Sequence, residues 1–322
     1  MTAPITLAVF ALLAAILGPR LLARSRWPDR SPRVGIIAWQ ALSFSVLTAV
    51  VLAGAALALP AVPFTADIAE LISACTMALR AQYATPGGAA LSATGAVLAV
   101  TVLARAGYCL TAGLLTASWE RRRQVDALSL IAHRDERCDA LVVHDSAAAA
   151  YCLPGRRRQI VLTTGALAAL DDDQLAAVLA HERAHLRGRH DLVLAAAAAL
   201  QRAFPRATTF RDAHRELTSL VEMLADDVAA RRNDRVTIAT ALVRLAEASA
   251  PVAALGAGGS TSLARVRRLA APAHPLGTGR SLLTAVAAAT LLATPVAVAT
   301  APAVLVAAAD LCPSNFPAQL LD

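Results

Sequence analysis

The chain has 322 residues, of which 57% are hydrophobic and 16% charged, and its mean hydropathy is +0.55. Soluble domains are roughly half apolar and about a quarter charged, so this composition excludes a disordered protein and argues against a purely cytosolic enzyme. The net charge of +7 is carried by arginine without any lysine. Because many arginines flank apolar runs, the charge favours anionic lipid as a partner, and we expect no direct binding of nucleic acid.

Four apolar runs are each long enough to cross a bilayer as a helix, for which about 20 residues are needed. In chain order the runs cover residues 4–22, 34–59, 89–117 and 281–309. They predict a chain with four parts. These are an N-terminal membrane region at 1–117 with three transmembrane helices, a water-facing domain at 118–280, a fourth transmembrane helix at 281–309, and a short tail at 310–322.

The arginines also predict the orientation of the chain in the cell membrane. Five arginines and one acid lie in the stretch from Arg20, near the end of the first run, to Arg33, and Arg121–Arg123 follow the third run, whereas the second loop holds a single arginine, Arg80. Positive loops stay in the cytoplasm. We therefore expect a multi-pass protein with the N-terminus and the C-terminal tail outside and the domain at 118–280 inside. Cys75 and Cys312 then share the oxidising side, where a disulfide is a hypothesis.

The domain at 118–280 holds 23 arginines and 18 acids, as expected for a water-facing segment. Three short strands are predicted first, then four helices and a Gly/Ala-rich loop. The strands are at 140–144, 150–153 and 159–163; the helices at 171–189, 192–204, 212–232 and 236–250; and the loop at 251–260. Acidic residues and a capping-box pattern mark the start of the first helix. The helix at 192–204 is too short to span, which indicates a buried or membrane-surface helix.

The sharpest motif is His181-Glu182-Arg183-Ala184-His185, inside the predicted helix 171–189. Residues four apart share a helix face, so the two imidazoles can bind one zinc ion, and the glutamate between them can activate a water molecule. The alternative is a surface helix with two exposed histidines. We predict one Zn²⁺ per chain, with His181 and His185 as ligands and Glu182 as the catalytic base.

A zinc ion that catalyses hydrolysis needs a third protein ligand and one open position. The next long predicted helix carries Glu222-Met-Leu-Ala-Asp226-Asp227. Glu222 is the predicted third ligand, and Asp226, one turn later on the same face, is predicted to hold a ligand histidine by a hydrogen bond. Taken alone, this acidic segment would be interpreted as a solvated helix face. Its position on the next long helix favours the ligand.

Together these motifs resemble the gluzincin pattern of membrane metallopeptidases, in particular the BlaR/MecR-type peptidases of antibiotic-sensing receptors and the HtpX-type peptidases. The stretch at 151–165 also resembles the way both families lead into their zinc helix, and the order of the apolar runs resembles the first family. The resemblance covers most of residues 1–310. It implies a mainly α fold, with a four-helix transmembrane region and an inserted α+β zincin-like domain. About a dozen residues follow the last run, too few for the receptors' penicillin-binding domain, which we do not expect here.

Three further expectations concern the surroundings of the motif. A transition-state oxyanion needs a donor besides zinc, and His214 and Arg231 are candidates by their position in the sequence. His190 lies off the ligand face and is interpreted as structural. The strand at 159–163 is either an edge strand that pairs with an extended substrate or an ordinary core strand.

The predicted function is that of an integral membrane zinc endopeptidase whose partners are lipid and a protein substrate. By resemblance, the substrate is a transcriptional repressor in a signalling pathway or the chain itself. One alternative is a quality-control protease of the HtpX type. Another is a non-catalytic signalling or scaffold protein with a zinc-binding fold. The sequence carries no signal for a particular oligomeric state.

Overall fold

The computed structural model describes residues 2–25, 27–59, 73, 76–78, 80–81, 83–155, 158–249, 255–272 and 276–310, without the side chains of 255–261 and 305–310. Most described residues are helical, and four short strands form one sheet. The helices are α1 (Thr2–Arg24), α2 (Trp27–Arg30), α3 (Pro32–Ala58), α4 (Gly88–Ile131), α5 (Thr164–Ala169), α6 (Asp172–Gly188), α7 (His190–Ala203), α8 (Thr208–Ala229), α9 (Arg235–Ala248), α10 (Leu255–Ala270) and α11 (Thr278–Asp310). The strands are β1 (Ala132–Asp135), β2 (Ala140–Val143), β3 (Ala150–Leu153) and β4 (Gln159–Thr163).

The chain divides into two compact units that differ from the segments expected from the apolar runs. The first unit comprises 1–18, 41–105 and 286–322, and the second comprises 19–40 and 106–285. The predicted boundary at 117/118 falls inside α4, which is continuous over 44 residues. A helix that leaves the membrane need not end there, because its last turns can pack in the following domain. The membrane and domain boundaries inferred from sequence stay predictions.

Four helices, α1, α3, α4 and α11, are long and apolar enough to cross a membrane. Large apolar side chains such as Leu12, Val97 and Leu283 are exposed on them, a surface that is stable only in an apolar environment. Cys75 and Cys312, the hypothetical disulfide pair, lie outside the described residues.

Within the first unit, small residues let α3 and α4 approach closely. A Cβ atom on Gly54 would lie 2.7 Å from the carbonyl oxygen of Gly95, and one on Gly95 would lie 2.5 Å from that of Gly54. Small residues at a crossing point are typical of membrane helices, which associate by close packing. Ser45 of α3 also donates a 2.6 Å hydrogen bond to the carbonyl oxygen of Leu291 in α11.

The sheet of the second unit has the order β1-β2-β4-β3, with β2 parallel to β4 and the other two pairs antiparallel. The prediction that 159–163 is an edge strand is therefore wrong, and the core-strand alternative is confirmed. The reason is the run Ile160-Val161-Leu162, which is buried on both faces as in an interior strand. Among the described strands, β3 is the edge on this side.

Helix α6 lies against this sheet and carries the histidine motif. The predicted capping box is confirmed, since Asp171 accepts from the backbone N–H of Gln174 and the Gln174 side chain accepts from that of Asp171. Leu179 and Leu186 of α6 pack with Ile160 of the sheet. Helices α8 and α9 pack on other faces of α6, so the motif is enclosed by neighbouring elements.

The predicted Gly/Ala-rich loop at 251–260 is wrong from Leu255 onward, where α10 begins. Helix propensity is a weak prior that tertiary context overrides. In α10 the buried Leu269 packs in one cluster with Ala229 of α8 and Ile238 of α9, which holds the helix in place despite its glycines. This correction matters because α10 carries an arginine that reaches the histidine motif.

The segment that connects α1 to α3 also contacts the helices around the histidine motif in the same unit. Its short helix α2 contacts α8, and Arg268 of α10 donates a 2.7 Å hydrogen bond to the carbonyl oxygen of Asp29. The same guanidinium bonds the Asp227 carboxylate at 2.8 Å. The connecting segment is thus fixed to the two helices that flank the histidine motif.

Candidate metal centre

Helix α6 places two histidine side chains next to each other. The helix is regular from its capped start to Gly188, so His181 and His185 lie one turn apart on one face. Their Nε2 atoms are 3.0 Å apart, and both side chains are largely buried. The two rings therefore point their Nε2 atoms at one place.

Glu222 of α8 faces the same place from the neighbouring helix. Its Oε2 atom lies 3.5 Å from Nε2 of His181, and its Oε1 atom lies 3.5 Å from Nε2 of His185. One atom from each of the three residues falls within 4.8 Å of the others. The structure thus brings together the three side chains that the sequence analysis names as ligands.

These distances test whether a zinc ion fits. Ligand atoms about 2.1 Å from a tetrahedral ion are roughly 3.4 Å apart. Here the two histidine Nε2 atoms are 3.0 Å apart, and each lies 3.5 Å from a different oxygen of Glu222. Two imidazoles and one carboxylate are also a donor set found in catalytic zinc sites, where the fourth position is left to water or substrate. The donor atoms therefore fit a zinc ion without rearrangement of the backbone.

The nitrogens on the far side of both rings have partners as well. The Oδ1 atom of Asp226, a fully buried residue, lies 3.0 Å from Nδ1 of His181. Nδ1 of His185 lies 3.1 Å from Nδ1 of His190. Partners of this kind fix the ring orientation and leave Nε2 free to bind a metal.

Arg265 of α10 joins two carboxylates at the site. Its Nε and Nη2 atoms bond both oxygens of Asp226 at 2.9 and 2.7 Å, and Nη1 lies 2.9 Å from Oε2 of Glu222. The bidentate geometry suits a planar guanidinium, which presents its donors in a rigid fork. A single buried cation thus holds two acidic side chains from α8 in register with the histidines.

The electrostatics of the site follow from these contacts. Burial opposes a charge on His181, but its hydrogen bonds to Asp226 and Glu222 outweigh burial and raise its pKa to about 9. Burial likewise opposes ionisation of Asp226, yet the bonds from Arg265 and His181 lower its pKa to about 2. The same kind of balance lowers the pKa of Glu222. The carboxylates thus stay ionised, as ligands and their supports must.

Glu182 and His185 respond differently because burial dominates. Burial raises the pKa of Glu182 and lowers that of His185 to about 4. A carboxylate with a raised pKa is suited to take up and return a proton near neutral pH. Cys152 of β3 hydrogen-bonds Glu182, and burial together with that negative charge raises the pKa of the thiol to about 12, so the thiol stays neutral.

An open cavity of about 420 Å³ leads to these residues. The polar part of the lining is formed by the motif, Glu222 and Arg265, and the edge strand β3 forms part of the wall. The lining also has an apolar part, the apolar chamber, which includes Val178, Ile238, Ala241, Leu242 and Leu245. The cavity therefore combines the candidate metal ligands with an apolar surface.

The two candidate oxyanion donors lie elsewhere in the described part of the chain. Neither His214 nor Arg231 is among the residues that line the cavity. His214 lies two turns before Glu222 on α8, and Arg231 is exposed just beyond the end of that helix. Proximity in sequence to Glu222 is a poor guide here, because only one face of α8 reaches the cavity.

One helix carries a histidine pair with a glutamate between them, and a second helix supplies a carboxylate. Together with the four long apolar helices in the described part of the chain, this arrangement defines a membrane-associated metallopeptidase. A comparison with protein families shows which family of metallopeptidases this is. The model of peptidase family M48 matches residues 116–294, more than half of the chain, and the protein belongs to that family. Peptidases of this family are zinc-dependent. No curated protein and no solved structure matches the chain.

Two residues of the site, Arg265 and Cys152, are not predicted from the sequence. Arg265 follows a glycine-rich stretch that resembles a loop, and nothing local marks it as a partner of Asp226. Cys152 is close to Glu182 only because β3 lies beside α6. His190 is interpreted from its spacing as a structural residue off the ligand face, and its contact with the ring of His185 is the part that the spacing does not predict.

Proposed function

We propose that this protein is an integral membrane zinc endopeptidase. His181, His185 and Glu222 hold the ion, and Glu182 is the catalytic base. The observation that carries the proposal is the convergence of three side chains beside Glu182: Nε2 of His181 and Nε2 of His185 are 3.0 Å apart, and each lies 3.5 Å from one oxygen of Glu222. A bound zinc ion would supply a Lewis acid and lower the pKa of a water molecule.

The protein's own residues would perform the remaining steps. The Glu182 carboxylate accepts the proton of the attacking water and returns it to the leaving nitrogen, which its raised pKa favours. Asp226 and His190 hold the two histidine rings, while Arg265 holds Glu222. The neutral Cys152 thiol hydrogen-bonds the Glu182 carboxylate and so helps to hold the base in place.

The test is metal content paired with activity. We expect about one zinc per chain in the detergent-solubilised protein and cleavage of a casein-like substrate or of the chain itself. A chelator should abolish cleavage, and added zinc should restore it. His185→Ala should bind no zinc and cleave nothing, whereas His133→Ala, an exposed histidine outside the site, should match the wild type. A wild type without zinc would overturn the proposal.

The lining of the cavity supports a proposal for how a polypeptide substrate binds. The edge strand β3 forms part of the cavity wall, and an extended peptide can pair with such an edge. The apolar chamber would take a side chain next to the scissile bond. We therefore propose a substrate that is extended at the cleavage site and carries a bulky apolar residue beside it.

Filling the chamber should change the substrate preference. Leu245 is half buried in the cavity wall, whereas Val243 of the same helix is exposed. We expect Leu245→Trp to lower kcat/KM at least about tenfold for peptides with leucine or phenylalanine beside the scissile bond, and much less for alanine, because the lost apolar contact is worth roughly 1–3 kcal/mol. Val243→Trp is the matched control. Equal losses for all peptides would contradict a specificity role.

For the orientation, we propose a cytoplasmic peptidase domain with the N-terminus and C-terminal tail outside. The hydrogen bond between Arg268 and Asp29 supports part of it, because the arginine-rich connecting segment and the domain must then share one side. We expect an epitope in the exposed turn after Glu136 to be detected only in permeabilised cells. An N-terminal epitope should be detected on intact cells. The reverse pattern would contradict the orientation.

For the biological role, we propose limited cleavage of one defined protein, a repressor or the chain itself, as in the BlaR/MecR-type receptors. The support is the arrangement of three apolar helices before the site and one after it. A comparison of protein fragments from cells with wild-type protein and Glu182→Gln should show one or a few changed substrates. Many changed membrane proteins would favour quality control of the HtpX type instead. Full cellular function of Glu182→Gln would favour a non-catalytic signalling or scaffold protein.

A further inference from the structure

The histidine ring of His190 contacts the second ligand histidine from outside the metal-binding face. Nδ1 of His190 is 3.1 Å from Nδ1 of His185, and the two rings meet edge to face with centroids 4.9 Å apart. His190 is only 5% exposed. It is five residues beyond His185, a spacing that a continuous helix would not bring back to the same ring.

The contact depends on an unusual backbone at the junction of α6 and α7. Arg189 has a φ of 49° and a ψ of 42°, a left-handed conformation that is uncommon for a residue with a side chain. It ends α6 and starts α7 with a change of direction. Gly188 is needed there as well, because a Cβ atom at this position would overlap the His190 ring. Both features serve to bring this one ring onto His185.

The chemistry of the pair assigns the protons. If Nε2 of His185 binds a metal, Nδ1 carries the hydrogen and must donate it. Nδ1 of His190 is the acceptor at the right distance, so His190 carries its own hydrogen on Nε2. His181 makes the equivalent bond to the carboxylate of Asp226. The two ligand histidines are thus held by different partners, one anionic and one neutral.

We propose that His190 is a positioning residue that fixes the tautomer and orientation of His185 and thereby strengthens zinc binding. The proposal rests on the proposed function. Loss of an outer partner of a zinc ligand typically weakens metal affinity 10–100-fold. His190 itself binds neither metal nor substrate, so its effect should be seen in the metal affinity first.

The test compares two isosteric replacements. In His190→Asn, the amide oxygen can take the place of Nδ1 and accept the hydrogen bond, whereas His190→Leu has the same shape without an acceptor. We expect His190→Leu to bind zinc 10–100-fold more weakly, measured by competition with a chromophoric chelator. His190→Asn should stay within about threefold of the wild type, which is less than 1 kcal/mol. The visible spectrum of the cobalt-substituted protein should change in the leucine variant alone.

Three results would overturn the proposal. Wild-type affinity in both variants would show that His190 is not needed, and equal weakening in both would show that packing, rather than the hydrogen bond, matters. Wild-type protein that binds no zinc would overturn the proposed function and this inference with it. If the wild type binds zinc and cleaves peptides while His190→Leu keeps its affinity, only the role of His190 fails. Thermal unfolding of the metal-free variants provides the control for folding.

Discussion

Replacing Glu182 with glutamine is expected to lower kcat for a peptide substrate by about a thousandfold while the bound zinc is retained. The amide has nearly the same shape, so the neighbouring histidines keep their positions, but it cannot accept the proton of the attacking water. The measurement is steady-state cleavage of a fluorogenic peptide, with the zinc content of the same preparation determined in parallel. KM should change little, because Glu182 acts on the proton and not on the bound peptide.

Glu247→Gln is a suitable control for this variant. Glu247 is exposed on α9 and lies outside the catalytic site, so the activity of the Glu247→Gln variant should equal that of the wild type. A Glu182→Gln protein that kept more than about a tenth of the wild-type kcat would contradict a role as general base, for which losses of 10²–10⁴ are typical. Loss of zinc together with activity would point to a role in metal binding instead.

The second large effect is expected for Arg265→Met, which should reduce the free energy of unfolding of the metal-free protein by about 3–5 kcal/mol. The arginine is nine-tenths buried and forms three bonds of 2.7–2.9 Å to Asp226 and Glu222. Methionine retains much of the apolar stem but removes the cation. The fully buried Asp226 carboxylate would then have lost its two bonds from the guanidinium and would keep only His181 as a partner. Removing one partner of a buried ion pair is strongly destabilising. Denaturant unfolding in detergent, followed by circular dichroism, measures the loss.

Two further variants separate the charge effect from a packing effect. Arg267→Met alters an exposed neighbour on the same helix and should leave the stability unchanged. Arg265→Met combined with Asp226→Leu removes both charges and should be more stable than Arg265→Met alone, since buried ion pairs can be replaced by apolar residues at little cost. If the double variant is less stable than the single one, the buried charge is not the cause.

Features that depend on short-range spacing can be predicted from the sequence alone. A four-residue interval on a capped helix places His181 and His185 on one face, and an acidic start followed by Gln174 marks where that helix begins. The four apolar runs lead to four long apolar helices because chain length and hydropathy are local properties. The positions of β2, β3 and β4 follow from short apolar runs, whereas β1, with the sequence Ala-His-Arg-Asp, has no such run and is not predicted.

Contacts between residues from distant segments depend on the tertiary fold and cannot be predicted in the same way. Arg265 is 39 residues from Asp226 and 84 from His181, and no periodicity connects positions so far apart. The interior place of β4 and the edge place of β3 depend on strand order, which local alternation does not encode. His190 reaches His185 through one left-handed residue, Arg189, which breaks the helical register on which sequence reasoning relies. Local spacing therefore determined the ligand pair, whereas long-range packing determined what holds it.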